Sequence, residues 1–237
     1  MPFEPVVLIP PLLCDARVFA DQIGALSVRH PVLTVPVHGF ETMGEMAQHV
    51  LDHAPDNFAL VGAGMGGMVA LETIHRSPER VSRIALINTV AQADTPAVAS
   101  ERETQIIAAK SGRFTDVIAH EMNDGRFHDT VDLSQLRRVL HRMAEAVGPD
   151  AYVAAIRAMQ KRKDQQAVLR KIRQPALVIC GDSDPQTVVR RQEFIAEMIP
   201  YATLEVVENA GFLPTLERPA VVSSILEAWA QQPLVLR

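Results

Sequence analysis

Cysteine is scarce, with two in 237 residues, Cys14 and Cys180. Two alone make neither a disulfide framework nor a zinc site, and a reducing compartment, the cytoplasm, is the expectation. Positive charge is also in deficit: 23 Lys and Arg stand against 28 Asp and Glu, for a net charge of −5. An extended nucleic-acid surface needs the opposite sign, so no nucleic-acid partner is expected. Apolar runs long enough to span a bilayer, roughly 18 residues, are missing, and no membrane partner is expected. The opening Met1-Pro2-Phe3-Glu4-Pro5 lacks the basic and apolar regions of a secretory leader. Internal repeats and low-complexity stretches are lacking too. His, Asp and Glu nowhere take up metal-ligand spacing, so neither a metal nor another cofactor is expected.

The rest is ordinary globular material, 48% apolar and 22% charged. The length suits one large domain or a domain with an insertion. Short apolar runs recur at Val6–Ile9, Pro31–Val35, Phe58–Val61, Ile84–Ile87, Ala176–Cys180 and Thr203–Val207. Runs of this kind, bounded by turn residues, predict strands buried on both faces. Helical patterns lie between them. One over 65–76 stops at Ser77-Pro78, and one over 219–230 groups Val221, Val222, Ile225, Leu226 and Trp229. The alternation predicts an α/β fold with a mostly parallel sheet.

From about Ala91 to Arg173 only helical periodicity appears, clearest at Leu133, Leu136, Val139, Leu140, Met143 and Val147. This reads as an all-helical cap, 91–173, inserted in a core of 1–90 and 174–237 and lying over the carboxyl edge of the sheet. Ligands bind at that edge in open α/β sheets. The Lys- and Arg-rich stretch Arg157–Arg173 reads as a solvated helix face.

The segment Phe58-Ala59-Leu60-Val61-Gly62-Ala63-Gly64-Met65-Gly66-Gly67 runs a strand into a glycine-dense turn and then a helix. A phosphate-binding loop is one reading, but no Walker lysine or acidic strand end accompanies it. The other is a nucleophile elbow, G-x-S-x-G, with Gly62 and Gly66 as its outer glycines and Gly64 at the serine position.

With these residues the chain resembles the α/β-hydrolase superfamily, in its short single-cap esterase and lyase-like branch. The resemblance covers nearly the whole chain. Val7–Phe19 looks like the first-strand segment and oxyanion loop, and Arg80–Thr89 like the strand after the elbow helix. Cys180-Gly181-Asp182-Ser183-Asp184 matches the turn that supplies the triad acid, at Asp184. Gly211-Phe212 with Glu217 and Pro219 matches the segment that supplies the triad histidine, here Phe212. The resemblance implies the α/β-hydrolase fold, with the early strands cut back to leave about six.

It also implies a catalytic apparatus in which serine and histidine are missing. Gly64 has no oxygen to activate and Phe212 accepts no proton, so conventional acyl-enzyme chemistry is excluded. The oxyanion donors implied by the resemblance are backbone N–H groups, of Leu12 and Met65, and survive these changes. The resulting expectation is a protein that binds a small apolar carbonyl or carboxylate ligand without serine hydrolysis. The alternative is a hydrolase-derived enzyme, natural or engineered, acting on small ester-like substrates by another mechanism. That mechanism would draw on Asp184, His38 or bound water. Four side readings accompany these. Asp184 is either a triad remnant or the cap of a helix starting near Thr187. Cys14 is either core or near the pocket. His38 follows the second strand at the pocket edge, while His120, His128 and His141 fall in the cap. Met122, Met143 and Met159 are core or pocket lining. Oligomeric state is not legible.

Overall fold

The structure, a computed structural model, describes residues 4–234. Six strands form one parallel sheet in the order β2-β1-β3-β4-β5-β6. They are β1 (Val6–Ile9), β2 (Val32–Thr34), β3 (Phe58–Ala63), β4 (Val81–Ile87), β5 (Ala176–Gly181) and β6 (Ala202–Val207). Each expected run is a strand. Every residue of β1, β3 and β5 is buried, as expected of unalternating apolar sequence. The edge strands β2 and β6 correct the expectation of two-sided burial: Leu33 and Val206 are exposed. A sheet edge lacks one neighbour, and two-sided covering thins there.

Helices α1 (Ala20–Leu26), α2 (Met43–His53) and α3 (Met65–Arg76) connect the first four strands. The chain leaves β1 outward to β2 and then reverses past β1 to β3. With right-handed crossovers, that reversal puts α1 on one face and α2 and α3 on the other. Between β4 and β5 come α4 (Pro96–Lys110), α5 (Phe114–Glu121), α6 (Leu133–Val147), α7 (Pro149–Lys161) and the short α8 (Gln166–Leu169), with no strand among them. Then follow α9 (Val189–Met198), α10 (Pro214–Glu217) and α11 (Pro219–Ala230), the last packed on α1. Proline stands in the first turn of α4, α7, α10 and α11, where its missing N–H costs nothing.

In α11, Val222, Leu226 and Trp229 are buried, whereas Val221 points to solvent and drops out of the expected stripe. The basic stretch 157–173 is not one solvated face. Arg162 is buried and paired with Asp94 at 3.1 Å, and Arg157 pairs with Glu103 at 2.5 Å. Among the described residues no helix is long and apolar enough to cross a membrane.

Candidate functional site

The reversal of strand order falls between β1 and β3, and the crevice past their carboxyl ends is where such sheets hold ligands. Gly64 sits there, at φ +52° and ψ −118°, between the end of β3 and the start of α3. Glycine adopts this geometry freely, whereas an L side chain there is strained. The turn is held by Gly64 N–H donating to the Ile87 carbonyl at 2.8 Å and Thr89 Oγ1 donating to the Gly64 carbonyl at 2.7 Å. Gly66 lets α3 lie against the strands, since a Cβ there would fall 2.2 Å from the Ile9 carbonyl oxygen. Met65 opens α3, so its N–H has no acceptor within the helix and belongs to the helix's positive end.

Three further segments converge on Gly64. From the end of β1, Pro11 Cβ lies 3.0 Å from where a Gly64 Cβ would stand. From the loop after β6, the Phe212 ring comes within 3.6 Å of the same point. The loop after β4 supplies Asn88, whose Nδ2 donates to the carbonyls of Gly211 and Phe212, both at 2.8 Å. The serine and histidine positions of the resemblance are therefore neighbours in space.

Asp184, after β5, has a fully buried side chain. It does not cap a helix: α9 begins at Val189, and Asp184 Oδ1 instead accepts from the Gln186 N–H at 3.0 Å. Its Oδ2 accepts from Thr187 Oγ1 at 2.5 Å and from Arg126 Nη2 at 3.2 Å. Arg126 is the residue sequence reasoning missed. It comes from a 3₁₀ turn, Asp124–Arg126, between α5 and α6. Its guanidinium carbon lies 3.5 Å from the centroid of the Phe212 ring, a cation–π contact, and its Nη1 donates to the Glu121 carbonyl at 3.1 Å. No motif marks Arg126. The available signal was physical: a buried Asp184 without histidine needs a cation.

A cavity of about 160 Å³ lies beside Gly64, and Asp184, behind Arg126 and Thr187, is not part of its lining. Leu12, Gly64, Met65 and Phe212 line it from the core side, as do Asn88, Gln186 and Thr187. Met122 and Met159 line it from the helical segment, where Arg102, Glu121 and Arg126 add charge. Met143 is core and lines no part of it. Asp94 pairs with both Arg102 and Arg162, Asp184 pairs with Arg126, and Glu121 accepts from the neutral Tyr152 hydroxyl at 2.7 Å. Burial and the Glu121 charge push the Tyr152 hydroxyl up, which keeps it a donor. A larger hollow of about 700 Å³ between α5 and α6, lined by Ile118, Leu140, Arg137 and His141, contains none of the motif residues.

The other candidates are not brought to this cavity. Cys14 is fully buried, burial pushes its thiol up, away from the thiolate form, and it lies outside the cavity lining. Cys180 is buried as well, its thiol pushed up to about 12. His38 is half-buried near Asp15, outside the lining, with burial holding its imidazole below the usual range. His120 pairs with Glu101, and His128 accepts from and contacts its neighbour Thr130.

The profile of the alpha/beta hydrolase fold family matches residues 27–219 of this chain. Among characterised proteins, the chain is 27% identical to the pimeloyl-[acyl-carrier protein] methyl ester esterase of Aromatoleum aromaticum, covering 85% of this chain and 86% of that one. It is 26% identical to 3-oxoadipate enol-lactonase 2 of Acinetobacter baylyi, covering 84% and 74%. Among solved structures, a thermophilic esterase from Thermogutta terrifontis superposes with a TM-score of 0.87 at 23% identity, over 95% of this chain and 89% of that one.

Proposed function

We propose that this chain, which belongs to the α/β hydrolase fold family, binds a small, largely apolar carbonyl or carboxylate ligand and does not hydrolyse it by serine chemistry. The observation that carries the proposal is the state of the three positions that family catalysis uses. Gly64 offers no oxygen, Phe212 no base, and Asp184 faces a guanidinium at 3.2 Å instead of an imidazole. Loss of serine or histidine in such a site costs about 10⁶ in turnover and leaves only roughly 10³–10⁴ over water. Binding capacity depends on other groups, and in this reading these are the apolar walls, the positive end of α3, and the amides of Met65 and Leu12 as oxyanion donors. In this reading residues 91–173 act as a cap over a core of 1–90 and 174–237, contributing Met122 and Met159 to the roof. The two buried thiols fit a reducing compartment, the cytoplasm.

The test pairs binding with turnover. The wild-type chain is titrated with methyl propanoate and butanoate by NMR, and ester hydrolysis is followed on short and medium acyl chains. Binding without hydrolysis is expected. Gly64→Leu, checked for folding by circular dichroism, is expected to lose binding because its side chain fills the cavity beside Pro11 and Phe212. Rapid hydrolysis by the wild-type chain, abolished in Asp184→Asn, would instead establish an enzyme with an altered mechanism.

A further inference from the structure

The hollow of about 700 Å³ between α5 and α6 differs from the 160 Å³ cavity in size and in chemistry. Part of its lining is apolar: Ile118, Met122 and Leu140, all buried, and the exposed Ala119. The rest is rich in cations. From α6 come Arg138 and Arg142, both exposed and four positions apart, which puts them on one face of the helix, one turn from each other. Arg137 and His141 line the hollow as well, but each has an acid of its own. Arg137 pairs with Asp124, and His141 lies 3.3 Å from Glu145. Among the described residues Arg138 and Arg142 take part in no ion pair. Asp132, whose charge Arg138 stabilises, is already engaged as the cap of α6, where it accepts from the N–H groups of Ser134 at 3.0 Å and Gln135 at 3.2 Å. Like charges one turn apart weaken a helix, and an anion shared between them turns that repulsion into attraction. This grouping of arginines also runs against the net charge of −5 carried by the whole chain.

We propose that the hollow is a second binding site, for an amphiphile with an anionic head and a medium-length alkyl chain, such as a fatty carboxylate. The head is shared by Arg138 and Arg142, and the chain lies on Ile118, Ala119, Met122 and Leu140. The volume is that of a small-ligand pocket, about 300–1,000 Å³. Such a ligand is too large for the cavity beside Gly64, since a hollow of about 150 Å³ takes a guest of roughly benzene size. The shape favours a single amphiphile over a bilayer: a concave surface receives one chain, whereas docking on a bilayer needs apolar groups that reach into it. The proposal does not depend on the binding role of the smaller cavity. Met122 lines both spaces, so its methyl group reports on either.

The probes are octanoate and 1,2-octanediol, which share eight carbons and two oxygens and differ in charge. Each is titrated into the full chain while the Met122 methyl resonance, assigned through Met122→Leu, is followed by NMR. Octanoate is expected to move that resonance and to bind about tenfold more tightly than the diol, the scale of two partly exposed ion pairs. Arg138→Gln with Arg142→Gln replaces two exposed residues by another good helix former and is expected to erase the difference. Gly64→Leu, which fills the smaller cavity, is expected to leave octanoate binding unchanged. The diol binding as tightly as octanoate, or the glutamine pair leaving octanoate binding unchanged, would overturn the proposal. Loss of octanoate binding in Gly64→Leu would also overturn it, and would assign the ligand to the smaller cavity. Failure of octanoate to bind would overturn it as well, and binding to vesicles of phosphatidylcholine with phosphatidylglycerol would then make this face a membrane contact.

Discussion

Rebuilding a serine hydrolase in this scaffold tests the role assigned to Arg126. The simplest reconstruction is Gly64→Ser with Phe212→His, which fills both missing positions. The structure argues that this pair fails. An imidazole at position 212 would lie under the Arg126 guanidinium, now 3.5 Å from the ring centroid. Two unit charges at about 4 Å interact by about 4 kcal/mol at an effective dielectric near 20, equivalent to roughly 3 pKa units. Asp184 cancels part of this, yet the direction is firm: the imidazole resists the proton it must take. Arg126 also occupies Asp184 Oδ2 at 3.2 Å, so the histidine loses the carboxylate that orients it. That orientation is worth about 10⁴ in a working triad. The double variant is therefore expected to stay within about tenfold of the parent chain on p-nitrophenyl acetate and butyrate. Adding Arg126→Leu is expected to raise the rate at least about 100-fold over the double variant, with a pH profile that rises as the new histidine loses its proton. The serine itself is a burden to the fold. At φ +52° it carries strain of about 1–3 kcal/mol, and its Cβ meets Pro11 Cβ at 3.0 Å. Urea denaturation accompanies each assay to exclude unfolding. A double variant as fast as the triple would refute the argument, because Arg126 would then not obstruct the base.

Two other outcomes follow from the same geometry. Arg126→Met strands the buried Asp184 and is expected to cost about 3–5 kcal/mol in urea denaturation, with a substantial part recovered when Asp184→Asn is added. A loss under about 1 kcal/mol would show that the pair does not hold this region. Glu217 is buried, and desolvation raises its pKa above the ordinary value although three N–H groups, of His128, Gly211 and Leu213, donate to it. Between the unfolded pKa and the raised folded one, the native state binds the extra proton, so this group's contribution to stability falls as pH rises. The wild-type minus Glu217→Gln stability difference is expected to decline from about pH 4 upward. A flat or rising difference would contradict the raised pKa.

The strands were legible because five-residue apolar runs between turn residues have few other uses in a chain of this composition. Where burial depended on a neighbour, the pattern was silent: nothing in Leu33 or Val206 marks a sheet edge, and Val221 has the same side chain as buried Val222. At the site, Gly64, Met65, Leu12 and Phe212 were found through motif spacing, and all four line the cavity. Arg126 and Asn88 were not, since their meeting with Asp184 and Phe212 depends on how distant loops register. Arg126 and Asp184 lie 58 positions apart. The basic stretch hid Arg162 in the same way, because burying an arginine requires Asp94 to arrive from a different segment. His38 was plausible by strand position alone, and its side chain settles outside the lining.

The segment after α5 is stitched to the core at several points. Gly211 approaches so closely that a Cβ there would fall 2.1 Å from the Arg126 carbonyl oxygen. Phe212 N–H donates to that same carbonyl at 2.8 Å, His128 N–H reaches Glu217 at 2.9 Å, and Arg218 Nη2 donates to Thr130 Oγ1 at 2.7 Å. This margin of the pocket is thus a fixed template, cast against main chain, and not a glove that reshapes around its contents. Under the proposed binding role, a guest one carbon too wide along it would have to displace backbone, whereas elsewhere it would only have to turn a methionine.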